Sequence, residues 1–299
     1  MSSSENYSQL SPSAAASDVV IEMTSNSNDA EQARSTSNGS SSNIRPRAMT
    51  YFPEVPENAP TILTFENLVV STKQDPPVDI LRGLNGSITG GFWAIMGSSG
   101  GGKTTLLSAL SLRLDPKHMN ITGDIRLNGR EYDRSDLKSM SAYVMQDDVL
   151  LAELTVIETL QFAGELRLNT LDVDSAERKP MTKEERTARI EEVVELMNLD
   201  HIRDIIIGDT RRKGISGGER KRVCIAIELL SKPKLIFLDE PTSGLDSSTA
   251  FTVCSSLQAI AAGGFSTVVC TIHQPQQKIF DLFDNLILMK RGRIVYQGR

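Results

Sequence analysis

The chain has 299 residues, of which 39% are hydrophobic, and its formal net charge is −6. This acidic balance argues against a nucleic-acid partner, whose phosphates would select a basic surface. The cysteines, Cys224, Cys254 and Cys270, show no CxxC spacing and lie among apolar neighbours. That pattern excludes a disulfide framework or a structural zinc site and indicates core thiols in a reducing compartment.

Residues 1–60 are rich in Ser, Asn and Ala and show no sustained hydrophobic periodicity. Such a composition buries too little apolar surface to offset chain entropy, so it predicts a disordered tail. Residues 61–299 are long enough for one large domain. No stretch approaches the roughly 20 consecutive apolar residues that a membrane-spanning helix requires.

A glycine-rich segment, Gly97–Thr104, fits the pattern G-x-x-x-x-G-K-[ST]. It follows an apolar run, Phe92–Met96, that predicts a buried strand, and it leads into a predicted helix. Small residues there let backbone N–H groups converge on phosphate oxygens at a helix N-terminus, with Lys103 on the terminal phosphates and Thr104 on Mg²⁺. The alternative, a glycine-rich connection without a ligand, leaves the Lys-Thr pair unexplained. The sequence therefore assigns nucleotide binding to Gly97, Ser98, Ser99, Gly100, Gly101, Gly102, Lys103, Thr104 and Thr105.

The stretch from about residue 149 to residue 222 carries helical patterns. Two capping boxes, Thr155 with Glu158 and Thr182 with Glu185, predict helix starts. After the second box, apolar residues recur at helical spacing on one face: Ile190, Val193, Val194 and Met197. We therefore predict a helical subdomain inserted into the larger α/β domain.

A second glycine-rich segment, Ser216-Gly217-Gly218, directly precedes a helical pattern that runs from Glu219 to Leu230. Ser216 and Glu219 form a further capping box, so one interpretation is simply a well-capped helix. The other is a second anion site. Two anion-binding helix starts cannot easily share one triphosphate within a subunit, so this site would serve a nucleotide held by another subunit.

The continuous apolar run Leu235–Leu238 is typical of a parallel strand buried on both faces. Ligands of open α/β sheets bind at the carboxyl ends of such strands. Asp239 is therefore predicted to join the Mg²⁺ coordination sphere, and Glu240 to face the γ-phosphate and polarise a water molecule. The alternative is a paired-carboxylate metal site of another kind, which the phosphate loop upstream disfavours.

Together the three motifs resemble those of the nucleotide-binding domain of ATP-binding cassette (ABC) proteins. Three lesser motifs match in order: Tyr143–Asp148 is similar to the Q-loop, Ser243–Asp246 to the D-loop and Thr271–Pro275 to the switch histidine segment. Finer details resemble the white/brown-type half-transporters of subfamily G. These details are Gln146-Asp147-Asp148, Leu154–Leu160, Gly217–Arg222 and Ile272-His273-Gln274-Pro275.

The resemblance implies further roles. Gln146 would contact Mg²⁺ and the water and link them to the membrane-facing surface, Asp246 would cross a dimer interface, and His273 would contact the γ-phosphate. The alternative for His273 is a buried histidine with satisfied hydrogen bonds at a strand end. One segment departs from the family pattern, because Val69–Lys73 offers no aromatic residue to stack on adenine.

These features predict a P-loop ABC-type ATPase with a parallel sheet, an antiparallel β subdomain and a helical subdomain. The resemblance implies an ATP- and Mg²⁺-dependent domain on the cytoplasmic side of a membrane, in a half-transporter that exports a hydrophobic or lipid-like substrate. It also implies a second half-transporter subunit as partner and a membrane domain after residue 299.

Two other functions remain open at this point. A soluble cassette ATPase of the translation-factor or chromosome-maintenance type would carry tandem cassettes or a long coiled coil, and the sequence shows a single phosphate loop and no sustained heptads. A regulatory nucleotide sensor would bind without turnover, and the presence of Glu240 and His273 counts against it.

Overall fold

The computed structural model describes residues 62–168, 181–209, 211–264 and 266–299. The predicted tail, residues 1–60, lies outside the described residues. The strands are β1 (Leu63–Thr72), β2 (Asp79–Ile88), β3 (Phe92–Gly97), β4 (Met119–Leu127), β5 (Arg130–Glu131), β6 (Ser141–Val144), β7 (Leu235–Leu238), β8 (Thr267–Thr271), β9 (Asn285–Lys290) and β10 (Arg293–Gly298). The helices are α1 (Lys103–Leu110), α2 (Arg134–Met140), α3 (Val156–Leu168), α4 (Lys183–Leu196), α5 (Gly217–Leu229), α6 (Ser247–Ala262) and α7 (Gln277–Phe280), with a 3₁₀ turn at Asp200–Ile202.

The strands form two sheets. One is antiparallel and four-stranded, in the order β2-β1-β4-β5, and the other has six strands in the order β10-β9-β3-β8-β7-β6. In the second sheet β6, β7, β8, β3 and β9 are mutually parallel, and β10 joins β9 in antiparallel fashion. The prediction of a parallel sheet beside an antiparallel β region is therefore confirmed.

Apolar residues pack on both faces of the parallel sheet. On β7, Leu235 and Phe237 join a core shared with the antiparallel sheet and α1, whereas Ile236 and Leu238 join a core shared with α3, α4, α5 and α6. All four side chains are fully buried, as the apolar run predicted for a strand covered on both faces. Packed apolar cores on both faces of the sheet therefore support its carboxyl edge.

The helical prediction for residues 149–222 agrees with α3, α4 and the start of α5, although residues 169–180 lie outside the described part. Reciprocal hydrogen bonds confirm the capping boxes of Thr182 with Glu185 and Thr155 with Glu158. These helices share one apolar core with a face of the sheet, and the boundaries of a separate helical subdomain stay a prediction. Among the described residues, no helix combines the length and the apolar character needed to cross a membrane.

Candidate nucleotide site

The phosphate loop joins the end of β3 to the start of α1, as predicted. Lys103 is the first residue of α1, and its side chain folds back so that Nζ donates to the carbonyl oxygens of Gly97 at 3.1 Å and Ser98 at 3.2 Å. The residue is only 6% exposed. Its ammonium group therefore lies inside the curve of the loop, where it can meet a phosphate bound by the same backbone.

Glycine is needed at both ends of this loop. Gly97 has φ 151° and Gly102 has φ 98°, and both values lie in the region that L side chains rarely adopt. A Cβ at Gly97 would overlap the carbonyl oxygen of Met289 on β9, and one at Gly102 would approach Leu81 Cδ2 to 2.8 Å. The loop is therefore sharply bent and packed closely against β9 and β2. Glycine at these two positions also adds no side chain that could block the backbone N–H groups.

Asp239 follows β7, and its side chain forms hydrogen bonds with residues of α1 and β8. Its Oδ1 accepts hydrogen bonds from Thr104 Oγ1 at 3.0 Å and from Thr271 Oγ1 at 2.6 Å. The residue is 7% exposed. A buried carboxylate needs such donors, and the contact with Thr104 places the predicted metal-binding oxygens side by side.

Thr271 is a functional candidate that the sequence analysis did not select. It ends β8 and is fully buried, and its hydroxyl donates to Asp239 while accepting from the backbone N–H of Glu240 at 2.8 Å. One hydroxyl therefore holds the carboxylate of Asp239 and the backbone of Glu240. The local sequence gives no signal for this role, because the contact requires the β7–β8 register.

Glu240 occupies a left-handed backbone conformation, with φ 45°. For a residue other than glycine this conformation costs about 1–3 kcal/mol, and such strain concentrates at functional sites. The Gln146 side chain, exposed just after β6, donates from Nε2 to Glu240 Oε2 at 3.4 Å. The predicted water-activating carboxylate and the predicted Q-loop amide are therefore neighbours.

His273 follows β8 and its side chain is exposed. The alternative of a buried strand-end histidine is therefore wrong. The next residue, Gln274, has φ 44°, so the chain turns sharply at this point as it does at Glu240. An exposed imidazole at the carboxyl end of β8 is free to meet a ligand, and its contact with a γ-phosphate stays a prediction.

Strand order explains why these residues share one edge of the sheet. The phosphate loop, Gln146, Asp239 and His273 follow β3, β6, β7 and β8, respectively, and these strands are parallel neighbours in the order β3-β8-β7-β6. The carboxyl ends of parallel strands meet at the same edge, where α/β folds bind ligands.

The predicted second anion site lies at the start of α5. Ser216 is the N-cap: its N–H and its hydroxyl both donate to Glu219 Oε2 at 2.8 Å, and its Oγ accepts from Glu219 N at 3.4 Å. Partial burial favours the neutral form of Glu219, but hydrogen bonds from Ser216 and His201 outweigh it and lower the pKa of this carboxyl. Ser216 and Gly217 are exposed. The capped helix is thus confirmed, and binding of a partner's nucleotide stays a prediction.

Asp246 has an additional role that its predicted interface position did not indicate. It is the N-cap of α6, and its carboxylate accepts from Ser248 N at 3.0 Å, from Thr249 N at 3.1 Å and from Thr249 Oγ1 at 2.5 Å. The hydrogen bond from the Thr249 side chain, followed by that from its backbone, lowers the pKa of Asp246. Within one chain the residue orders the D-loop, and its contact across an interface stays a prediction.

The starts of α5 and α6 pack together through Gly218. A Cβ at Gly218 would overlap Thr249 Cγ2, whereas one at Gly217 would lie 3.5 Å from Leu245 Cδ2, an ordinary contact.

We predict that Gly218→Ala lowers the thermal unfolding midpoint through overpacking, at a cost of about 1–3 kcal/mol, and that Gly217→Ala costs much less. Adding Thr249→Ser to Gly218→Ala removes the overlapping methyl group, keeps the hydroxyl and should restore the midpoint; failure to restore it would contradict this packing.

A second prediction concerns Thr271. Thr271→Val removes one donor from Asp239 and leaves the Glu240 N–H without its acceptor, which should cost about 1–3 kcal/mol of stability. We expect ATP turnover to fall by roughly 10- to 100-fold because both carboxylates lose their alignment. Thr267→Val, on the buried opposite end of the same strand, is the matched control. Equal turnover in the two variants would show that the Thr271 hydroxyl aligns nothing.

The donor set fits a magnesium ion. Thr104 and Asp239 present hard oxygen atoms 3.0 Å apart beside the phosphate loop, the type of ligand that Mg²⁺ shares with nucleotide phosphates. Among the described residues, no group of three or more His, Cys, Asp or Glu side chains could hold a metal. Bound nucleotide phosphates would supply further oxygen ligands.

The carboxyl edge of the parallel sheet carries the phosphate loop, Asp239 and Glu240. This combination defines a P-loop nucleoside triphosphatase. The family profile described as ABC transporter matches residues 81–243, more than half of the chain. The chain belongs to the ABC transporter family and contains its ATPase domain.

Individual relatives agree with the subfamily that the motifs resemble. ABC transporter G family member 1 of Dictyostelium discoideum is 44% identical over 223 residues, covering 74% of this chain and 26% of its own length. The broad substrate specificity ATP-binding cassette transporter ABCG2 of Bos taurus is 43% identical over 220 residues, covering 74% of this chain and 32% of its own length. The chain thus spans about a third or less of these two relatives.

The fold is also similar to that of a solved structure, the dimeric post-hydrolysis state of the ATP-binding cassette MJ0796 bound to ADP and Pi. The TM-score is 0.62 at 24% identity, and the match covers 79% of this chain and 98% of that one. This likeness confirms the ABC-type ATPase fold that the motifs predicted.

Proposed function

We propose that this domain hydrolyses ATP in a site shared by two subunits and thereby drives transport through a membrane domain. One observation carries the proposal: a continuous set of hydrogen bonds joins Thr104 of the phosphate loop through Asp239 and Thr271 to Glu240, and Glu240 to Gln146. A site that only bound nucleotide would not need a strained glutamate held next to an amide at the edge of the sheet.

Each residue has a distinct task in the proposed reaction. The backbone N–H groups of the phosphate loop and the Lys103 ammonium bind and orient the triphosphate. Glu240 accepts a hydrogen bond from the attacking water and polarises it, with Gln146 and His273 orienting the water and the γ-phosphate. Thr104 and Asp239 hold Mg²⁺, which when bound neutralises charge that develops on the phosphate oxygens. Positioning and charge neutralisation supply most of the catalysis in such reactions.

The dimer follows from the second anion site. Ser216 and Gly217 form an exposed helix start, whose partial positive charge favours an anion, while α1 already supplies such a start for the chain's own nucleotide. In a head-to-tail dimer each α5 start would cover the nucleotide of the other subunit. A cassette of the same fold has been solved as a dimer with ADP and Pi, which agrees with this arrangement.

The transported substrate is proposed from the relatives and from the resemblance of the motifs to subfamily G. Their names place them in subfamily G, and the bovine protein is described as having broad substrate specificity. We accordingly propose export of hydrophobic or lipid-like compounds, with this domain on the cytoplasmic side and a second half-transporter subunit, identical or different, as partner.

Hydrolysis by the purified chain tests the proposal. We expect Mg²⁺-dependent release of phosphate from ATP, with a rate per molecule that rises with protein concentration as dimers form. Tight ATP binding without turnover at any concentration would indicate a nucleotide sensor instead.

A further inference from the structure

Lys221 is a buried lysine in α5, only 2% exposed. Its Nζ donates to the backbone carbonyl oxygens of Met145 at 3.2 Å and of Gln146 at 2.8 Å, and it forms an ion pair with Asp148 Oδ1 at 2.5 Å. Three oxygen atoms therefore lie within 3.2 Å of the ammonium group. All three belong to the short segment that follows β6.

Burying an ammonium group costs several kcal/mol unless it is paired and hydrogen-bonded, and an apolar side chain of similar volume would often be no less stable. A lysine at this point is therefore poorly explained by packing alone. The Lys221 ammonium group instead donates hydrogen bonds to the backbone segment that contains Gln146.

The segment after β6 leaves the sheet just before the residues that Lys221 contacts. The last register pair of β6 with β7 is Val144 with Leu238, and the hydrogen bond from Asp239 N to Val144 O follows it. Beyond that bond the sheet no longer supports the chain, and the next two carbonyl oxygens are those bound by Lys221. The lysine thus extends the ordered backbone up to Gln146.

We propose that Lys221 is a positioning residue that holds the backbone of Gln146, so that the Gln146 amide reaches Glu240. The inference deepens the proposed function and rests on it for its catalytic consequence. Since α5 begins at the predicted second anion site, a phosphate bound there would contact the helix that carries Lys221. Lys221 therefore connects the start of α5 to the amide beside the catalytic carboxylate within one chain.

The single variant Lys221→Met would leave Asp148 as an unpaired, largely buried carboxylate and could unfold the protein. The double variant Lys221→Met with Asp148→Asn removes both charges and keeps the side-chain volumes. We expect it to retain the wild-type unfolding midpoint within a few degrees and the KM for ATP within about threefold, while kcat falls by roughly 10- to 100-fold from misplaced groups. Asp148→Asn alone also breaks the buried ion pair and should lower the unfolding midpoint, but it keeps the lysine on both carbonyl oxygens. Assayed below its unfolding midpoint, this matched control should retain most of the wild-type kcat.

Hydrogen exchange measured without turnover separates this inference from the proposed function. In the 299-residue chain, backbone amides at 145–148 should exchange faster in the double variant than in the wild type or in Asp148→Asn. A double variant with wild-type kcat and unchanged exchange would overturn the inference, as would a control variant that loses as much kcat as the double variant. If exchange is faster in the double variant but the wild type does not hydrolyse ATP, the proposed function is overturned and the backbone contact of Lys221 still stands.

Discussion

Glu240→Gln is expected to keep ATP binding and to lose turnover by roughly 10²–10⁴-fold, the contribution of a positioned general base. The amide has nearly the same shape as the carboxylate, so it can keep the contact with Gln146 and the left-handed backbone at this position. It cannot accept a proton from water. Nucleotide affinity and phosphate release, measured on the same preparation, check both halves of this expectation.

The same variant should accumulate as a dimer with ATP, because in the proposed two-subunit site hydrolysis would separate the two halves. Size-exclusion chromatography with and without ATP and Mg²⁺ detects that change. Glu165→Gln, on an exposed position of α3, is the matched control and should behave as wild type. Turnover by Glu240→Gln near the wild-type rate would show that another group activates the water.

Local features of this molecule could be predicted well from the sequence. The phosphate loop, the capping box of Ser216 with Glu219 and the strand Leu235–Leu238 each depend on neighbours within a few residues. Their physics is also local, since capping and loop conformation require particular residue types at fixed spacing. Even so, α5 runs from Gly217 to Leu229 instead of from Glu219 to Leu230, because the two glycines after the cap already belong to the helix.

The contacts that align the site could not be predicted in this way. Thr271 reaches Asp239 because β7 and β8 are adjacent in a particular register, and Lys221 reaches Gln146 across a separation of 75 residues in sequence. The overlap of a Gly218 side chain with Thr249 likewise depends on how two helices pack. A lysine within a basic run such as Arg220–Arg222 would ordinarily be expected on the surface, and only the fold shows that it is buried.

The second large effect is expected from mixing two inactive variants. Lys103→Ala removes the ammonium group from the phosphate loop, and Ser216→Arg fills the anion site at the start of α5. Because Ser216 is exposed, the arginine can be accommodated at the cost of the helix cap, about 0.5–2 kcal/mol. Each variant alone should lose nearly all turnover, because both sites of its dimer carry a lesion. Unfolding midpoints of the separate variants are the control for folding.

A mixed dimer places both lesions in one site and neither in the other. Activity should therefore reappear on mixing, up to about half the wild-type rate per mixed dimer for two equivalent, independent sites of a symmetric dimer. Crosslinking between differently tagged chains establishes that mixed dimers have formed.

Phosphate release from this mixture, recorded together with light scattering during turnover, tests the shared site most directly. The two-subunit mechanism predicts recovery of activity that appears only in fractions containing mixed dimers. A protein that light scattering shows to remain monomeric while it hydrolyses ATP at an undiminished rate would contradict it.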